Sequence, residues 1–188
     1  MGMGNPEPIY YSADMVRDLI DETRPSPRYE TVHGELLVTP SPGAPHQFAV
    51  TRLAHRLATY LEREPIGEVL VAPADISWGL SDVLVQPDVF VVPIDAARGA
   101  WTDGWSAIGD LLLAVEVLSP SSRRQDRFTK RRLYQERGTP LYWLVDPGSA
   151  AVEVWTPADD FPRVERERLV WHAAGAATPF ELALDGLR

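Results

Sequence analysis

Cysteine is absent from this 188-residue chain, and lysine occurs once. Without cysteine there are no disulfides, no thiolate zinc sites and no cysteine nucleophiles. The absence suits a reducing compartment, and a cytoplasmic location is the expectation. Long apolar runs are also missing: residues 111–115 make a run of five before Glu116 interrupts, whereas a membrane span needs about 20. Residues 1–8 have neither the basic start nor the apolar stretch of a secretory signal. No glycine-rich loop is present to cradle a phosphate, and no Gly-x-Ser-x-Gly elbow to carry a serine nucleophile. The four histidines (His33, His46, His55 and His172) do not fall at zinc-ligand spacing. Neither an internal repeat nor an interdomain linker is evident.

What is present reads as a globular chain, with 45% hydrophobic and 24% charged residues. The length fits one domain over residues 10–188 behind a flexible N-terminus at 1–9. Net charge is −9, which opposes nucleic acid at long range and counts against a general DNA coat. The charge is unevenly placed, however. Residues 121–138 hold seven basic side chains against Asp126 and Glu136, a local surplus that leaves a cleft-bound polyanion open.

The hydrophobic pattern predicts helices around a central mixed sheet, an α/β (α+β) domain. Ser12 is placed to cap a helix over 13–22, with Met15, Leu19 and Ile20 on its apolar side and residues 24–28 ending it. Segments 29–32 and 35–39 flank His33-Gly34 as a hairpin. Residues 40–45 read as a loop. Helical spacing of Val50, Leu53, Ala54, Leu57, Tyr60 and Leu61 predicts a helix over 46–64. Strands are expected at 69–72, 75–78, 83–92 (interrupted by Pro87), 111–118, 141–145 and 152–155, with further edges near 164–170 and 180–184. Residues 95–109 read as a connection, and 123–137 as a helix.

Two carboxylates stand inside otherwise apolar strands, Asp88 and Glu116. A buried unpaired carboxylate costs several kcal/mol, so such a group is neutralised, paired or bound to a cation. Two together suit a hard cation such as Mg²⁺. The alternatives are a strand end in solvent or an arginine partner. Lys130 is the single lysine among eighteen basic residues; unlike arginine, it is a compact charge with an adjustable pKa. On a helix, Asp126, Lys130, Leu133, Tyr134 and Arg137 share one stripe, while Arg124, Arg127, Arg131 and Arg132 lie opposite, beside Phe128. An ordinary i,i+4 ion pair between Asp126 and Lys130 would account for that spacing equally well.

In order along the chain, Tyr29-Glu30, residues 33–36, Pro45-His46-Gln47, Pro87-Asp88-Val89, residues 115–121, Asp126, Lys130, Tyr134 and residues 142–147 resemble the PD-(D/E)XK nuclease superfamily. More specifically, they resemble the bacterial Uma-two family of restriction-endonuclease-like proteins, over residues 10–160. The resemblance implies a restriction-endonuclease-like fold and a Mg²⁺-dependent endonuclease, with Mn²⁺ able to substitute. Its substrate would be nucleic acid, DNA first. Asp88, Glu116 and Lys130 would be catalytic. Asp88, Glu116 and the Val117 carbonyl would hold the metal, and Arg123, Arg124 and Arg127 would contact phosphates. Glu30, Glu35, His46, Asp126 and Tyr134 would support the site, although Glu30 and Glu35 also read as solvated hairpin residues and His46 as a plain helix start. One position departs from the pattern: the strand lysine expected at 118 is Leu118, so the resemblance implies that Lys130 supplies the ammonium.

Two other functions fit the same sequence. One is a degenerate nuclease fold that binds nucleic acid or a protein without cutting. The other is a self-associating structural protein, in which tryptophans such as Trp101, Trp105, Trp155 and Trp171 form an interface. A homodimer is compatible with any of the three.

Overall fold

The computed structural model describes residues 9–20 and 27–187, and every structural statement here concerns those residues. Residues 1–8 of the segment 1–9 expected to be flexible, the end of the first predicted helix and most of its breaker at 24–28 lie outside them.

Alternation along the central strands sets the layers. The main sheet has six strands: β3 (Gly67–Val71), β4 (Val89–Pro93), β5 (Leu113–Val117), β6 (Tyr142–Asp146), β7 (Ala151–Trp155) and β8 (Arg163–Glu165), in that spatial order. Only β5 and β6 run parallel; the other neighbours are antiparallel. Strands β4 to β6 are buried on both faces, which explains their near-continuous apolar runs. Val89, Val91, Leu113, Val115, Val117, Trp143 and Val145 point to one side. There they meet α2 (Ala44–Leu61) and the hairpin of β9 (Arg168–Trp171) and β10 (Phe180–Ala183). Phe90, Val92, Ala114, Leu118, Tyr142 and Leu144 point to the other side. Facing them are α3 (Ile94–Asp103), α4 (Arg131–Glu136) and the hairpin of β1 (Arg28–Val32) and β2 (Glu35–Thr39). Glu116 lies between Ala114 and Leu118 in this alternation, so its side chain is turned toward α4.

The β1–β2 turn places His33 and Gly34 both at positive φ, 50° and 80°, as a two-residue primed hairpin turn requires. Helix α2 takes its start from Gly43 and Pro45, because proline fits the first turn, where its missing N–H leaves no bond unmade. Its buried stripe is Ala49, Leu53, Leu57, Tyr60 and Leu61. Helix α1 (Ala13–Leu19) is capped by Ser12 Oγ, which accepts from the Met15 N–H at 3.2 Å.

Several expectations are corrected. In α1 the buried side chains are Ala13 and Val16, while Met15 and Leu19 are exposed, because the helix packs on Leu84 through its other face. Residues 75–78 form no strand. A single bridge joins Ile76 to Val85, and Trp78 at φ 52° breaks the extended run. The strand expected over 83–92 begins only at Val89; ahead of it, Leu84 bridges Thr31. Residues 95–109 are largely helical, as α3 followed by a 3-10 turn at Gly104–Ala107. Only Ala97 of α3 is buried, so the segment has little apolar periodicity to reveal it. Within the helix expected at 123–137, Gln125–Lys130 is π-helical before α4 continues it. Such wide turns concentrate at functional sites.

Candidate active site

Asp88 directly precedes β4 and is 4% exposed. Arg28 Nη1 donates to Asp88 Oδ1 at 2.9 Å and to the Gln86 carbonyl at 3.0 Å. Asp88 Oδ2 accepts from the Val117 N–H at 2.9 Å and lies 2.9 Å from His46 Nε2. Burial alone would raise the Asp88 carboxyl. The hydrogen bond and charge of His46, the Arg28 guanidinium and the Val117 N–H outweigh that and hold it well below the usual carboxylate range.

A second group surrounds Lys130, which is 3% exposed. Its Nζ lies 2.8 Å from Glu30 Oε2, 3.1 Å from Glu116 Oε1 and 3.6 Å from Asp126 Oδ1. Glu30 is fixed from the other side by the Gln86 N–H, 2.7 Å from Oε1. Tyr134 donates to Glu116 Oε1 at 3.4 Å, and Tyr142 donates to the Asp126 carbonyl at 3.0 Å. The three neighbouring carboxylates more than offset burial at Lys130 and keep it firmly protonated. Burial, reinforced by the other acids, pushes Glu116 well up despite Lys130. Burial likewise pushes Asp126 to about 6 despite Lys130 and the Ser122 hydroxyl.

Both groups line one cavity of about 550 Å³, together with Ser119, Ser122, Gln47 and the Pro40–Pro42 segment. Four buried carboxylates, Glu30, Asp88, Glu116 and Asp126, face two permanent cations, Arg28 and Lys130. With every carboxyl ionised the formal deficit would be two positive charges, which protons held on the raised Glu116 and Asp126 carboxyls would lower, and Asp126 Oδ1 has no hydrogen-bond donor. A divalent cation fits that deficit. Among the described residues no three histidine or acidic side chains are grouped so as to hold a metal ion by themselves, so a cation here would need ligands from water or substrate. Two carboxylates completed by water and phosphate is the Mg²⁺ pattern. Three of the roughly four acceptor positions on Asp88 are already taken, so a cation there shares Asp88 with Arg28 and His46.

Of the residues singled out in the sequence, the cavity brings together Asp88, Glu116, Lys130, His46 and Asp126. Glu30 and Tyr134 join through their contacts with Lys130 and Glu116. Val117 meets Asp88 through its N–H, and a strand residue turns its carbonyl to the same edge. Glu35 is exposed and lies away from the cavity lining, because it starts β2 at the hairpin turn, whereas the cavity is reached by Thr39 at the other end of the strand. Arg123, Arg124 and Arg127 occupy the outer side of their helix and do not line the cavity. Arg127 is 2.6 Å from Glu153, and Arg123 is 3.5 Å from Asp146. Trp155 and Trp171 are buried, whereas Trp101 and Trp105 are exposed.

Sequence reasoning missed Arg28. It is one arginine among seventeen, and its partner lies sixty residues away. The only available signal was the need of Asp88 for a cation.

The fold and site define a class: a restriction-endonuclease-like α/β domain with acidic and lysine side chains gathered at the end of its central strands. Within that class the chain belongs to the Uma2 family, whose model, described as "Putative restriction endonuclease", matches residues 14–187. A solved structure described as "a putative nuclease belonging to DUF820", from Anabaena variabilis, superposes with a TM-score of 0.72 at 21% identity. That similarity covers 94% of this chain and 97% of the other. No curated protein matches the sequence.

Proposed function

We propose that the chain is a Mg²⁺-dependent nuclease that hydrolyses phosphodiester bonds in nucleic acid, DNA first. The observation that carries this reading is the convergence of Asp88, Glu116 and Lys130 on one cavity in which four buried carboxyl groups outnumber the two permanent cations. Asp88 and Glu116 would hold the cation, with the Val117 carbonyl on the same edge. When bound, Mg²⁺ supplies charge against the phosphate and lowers the pKa of water. Lys130, kept protonated by its three acids, serves as a hydrogen-bond donor and not as a base. It orients the attacking water or stabilises the charge that builds on the phosphate. Glu30 and Asp126 hold its ammonium in place, Tyr134 steadies Glu116, and His46 with Arg28 fixes Asp88.

Leu118, which is 4% exposed in the apolar core, favours a second reading. With the usual strand position lacking lysine, the fold would bind nucleic acid without cutting it. Salt-dependent binding with no cleavage under any divalent ion would select that reading.

The decisive experiment is Mn²⁺ titration by calorimetry of wild type and Asp88→Asn, paired with Mg²⁺-dependent cleavage of DNA by wild type, Asp88→Ala and Lys130→Ala. The proposal expects Mn²⁺ binding lost in Asp88→Asn and cleavage lost in both alanine variants. A folded alanine variant that cuts like wild type overturns the assigned roles.

A further inference from the structure

Resting on the nuclease reading, we infer that Arg28 has a second task beside holding Asp88: it binds the substrate phosphate, through the edge of its guanidinium that Asp88 leaves open.

The inference starts from the supply of cations. Among the described residues, Arg28 and Lys130 are the only lysine or arginine side chains that line the main cavity. The chain as a whole, at −9, opposes a polyanion. The arginines of the basic helix lie outside the lining, and two of them are paired with Asp146 and Glu153. A phosphate that enters beside four carboxyl groups therefore has two permanent positive charges to meet.

Of these, Lys130 is committed. An ammonium has three protons, and three carboxylates stand 2.8, 3.1 and 3.6 Å from Nζ. A phosphate that takes a hydrogen bond from Lys130 has to win it from an acid. Lys130 is also the deeper of the two, with 3% of its side chain exposed against 22% for Arg28.

Arg28 is only half committed. A guanidinium carries five N–H donors in one plane. Both protons of Nη1 are in use, on Asp88 Oδ1 at 2.9 Å and on the Gln86 carbonyl at 3.0 Å. Nε and Nη2 have no partner among the described residues, where Asp88 is the one ion pair of Arg28. These remaining donors form a fork that matches two oxygens of one phosphate. The two bonds at Nη1 hold the plane in place before substrate arrives, which lowers the cost of ordering it. The backbone is anchored as well, since Arg28 begins β1 and pairs with Thr39, itself part of the cavity lining. Because the anchor of the guanidinium is Asp88, a carboxylate assigned to the cation, the fork and the cation address the same phosphate.

The test uses the full chain as wild type, Arg28→Met and Arg28→Lys, with folding checked by thermal melts and Mn²⁺ saturation by calorimetry. Affinity for labelled DNA, single strand and duplex, is measured by fluorescence anisotropy in Ca²⁺, another oxygen-seeking ion, over a series of salt concentrations. Cleavage of the same DNA is followed at saturating Mn²⁺. Loss of one phosphate contact makes the slope of log K against log salt shallower by about 0.7 for a single strand and about 0.9 for a duplex. Arg28→Met should show that change, and its cleavage rate should fall about 10- to 100-fold although Mn²⁺ still binds. Arg28→Lys keeps the charge and should keep the slope. It should nonetheless cut at least about tenfold more slowly, because one ammonium cannot serve Asp88, Gln86 and a phosphate at once. A folded Arg28→Met with the wild-type slope overturns the inference, whether or not cleavage falls, and confines Arg28 to holding Asp88 while the nuclease reading stands. Arg28→Lys that cuts like wild type overturns it too, and decides the matter if Arg28→Met does not fold. A wild type that neither binds nor cuts DNA overturns the nuclease reading and this inference with it.

Discussion

Replacing Lys130 by methionine keeps the length of the side chain and removes its charge. Three buried carboxylates then lose a cation that sits 2.8, 3.1 and 3.6 Å away. At an effective dielectric near 20, each of these attractions is worth about 5 kcal/mol before desolvation is counted. Removing one partner of a buried ionic group costs about 3–5 kcal/mol net, because the remaining charges protonate and relax. For a chain of this size each kcal/mol moves Tm by about 2–4 °C, so Lys130→Met should melt about 6–20 °C below wild type near neutral pH. The deficit should also depend on pH. Glu116 and Asp126 already sit above their ordinary values of 4.5 and 3.8 in the folded chain, and loss of the ammonium raises them further. The folded state then binds protons that the unfolded state does not, so stability rises as pH falls through this window. Thermal melts of metal-free wild type and variant from about pH 7.5 to 5 measure both effects. A variant that melts within about 2 °C of wild type at neutral pH, with the same pH profile, would refute the view that Lys130 holds the acidic cluster together.

Arg28→Met removes a positive charge 2.9 Å from Asp88, and so removes repulsion against an incoming cation. Mn²⁺ affinity by calorimetry should rise about tenfold; a fall would mean that Arg28 holds Asp88 in its binding pose. Glu64 lies outside the site, at the end of α2, and accepts from the Ala177 N–H at 2.7 Å, the Thr178 N–H at 3.0 Å and the Thr178 hydroxyl at 2.5 Å. The Thr178 hydroxyl first, then the Ala177 N–H, hold its carboxyl below the ordinary 4.5. Its contribution is therefore present above about pH 4.5 and is lost as pH falls through the lower folded value. Glu64→Gln should melt below wild type at neutral pH and converge with it in acid; a Tm gap that is constant with pH contradicts this.

Much of the fold was legible wherever burial leaves a periodic trace. Leu53, Leu57, Tyr60 and Leu61 recur at helical spacing and mark α2, and the double-sided burial of β5 and β6 leaves near-continuous apolar runs. Helix α3 was not legible, because one buried alanine makes no stripe. At the site, Asp88 and Glu116 stood out because a carboxylate is costly in an apolar strand, and Lys130 because it is the chain's one lysine. Arg28 carried no such contrast. Its role exists only through the long-range packing that sets β1 against the approach to β4, which local pattern does not encode. The π-helical turn was hidden for a similar reason, since residues 125–130 have an ordinary helical composition.

The parallel pairing of β5 with β6 has a consequence for the order of assembly. A parallel neighbour needs a crossover, and here the crossover is the segment that bears Asp126, Lys130 and Tyr134. A growing chain that has emerged only as far as Val117 already contains Glu30, Asp88 and Glu116 but no ammonium to gather them. Until the crossover follows, Arg28 is the one permanent cation beside these acids, and β6 must then dock to fix Lys130. The acidic cluster thus gains its ammonium only once the crossover has been made, and a chain ended before it carries the acids without Lys130.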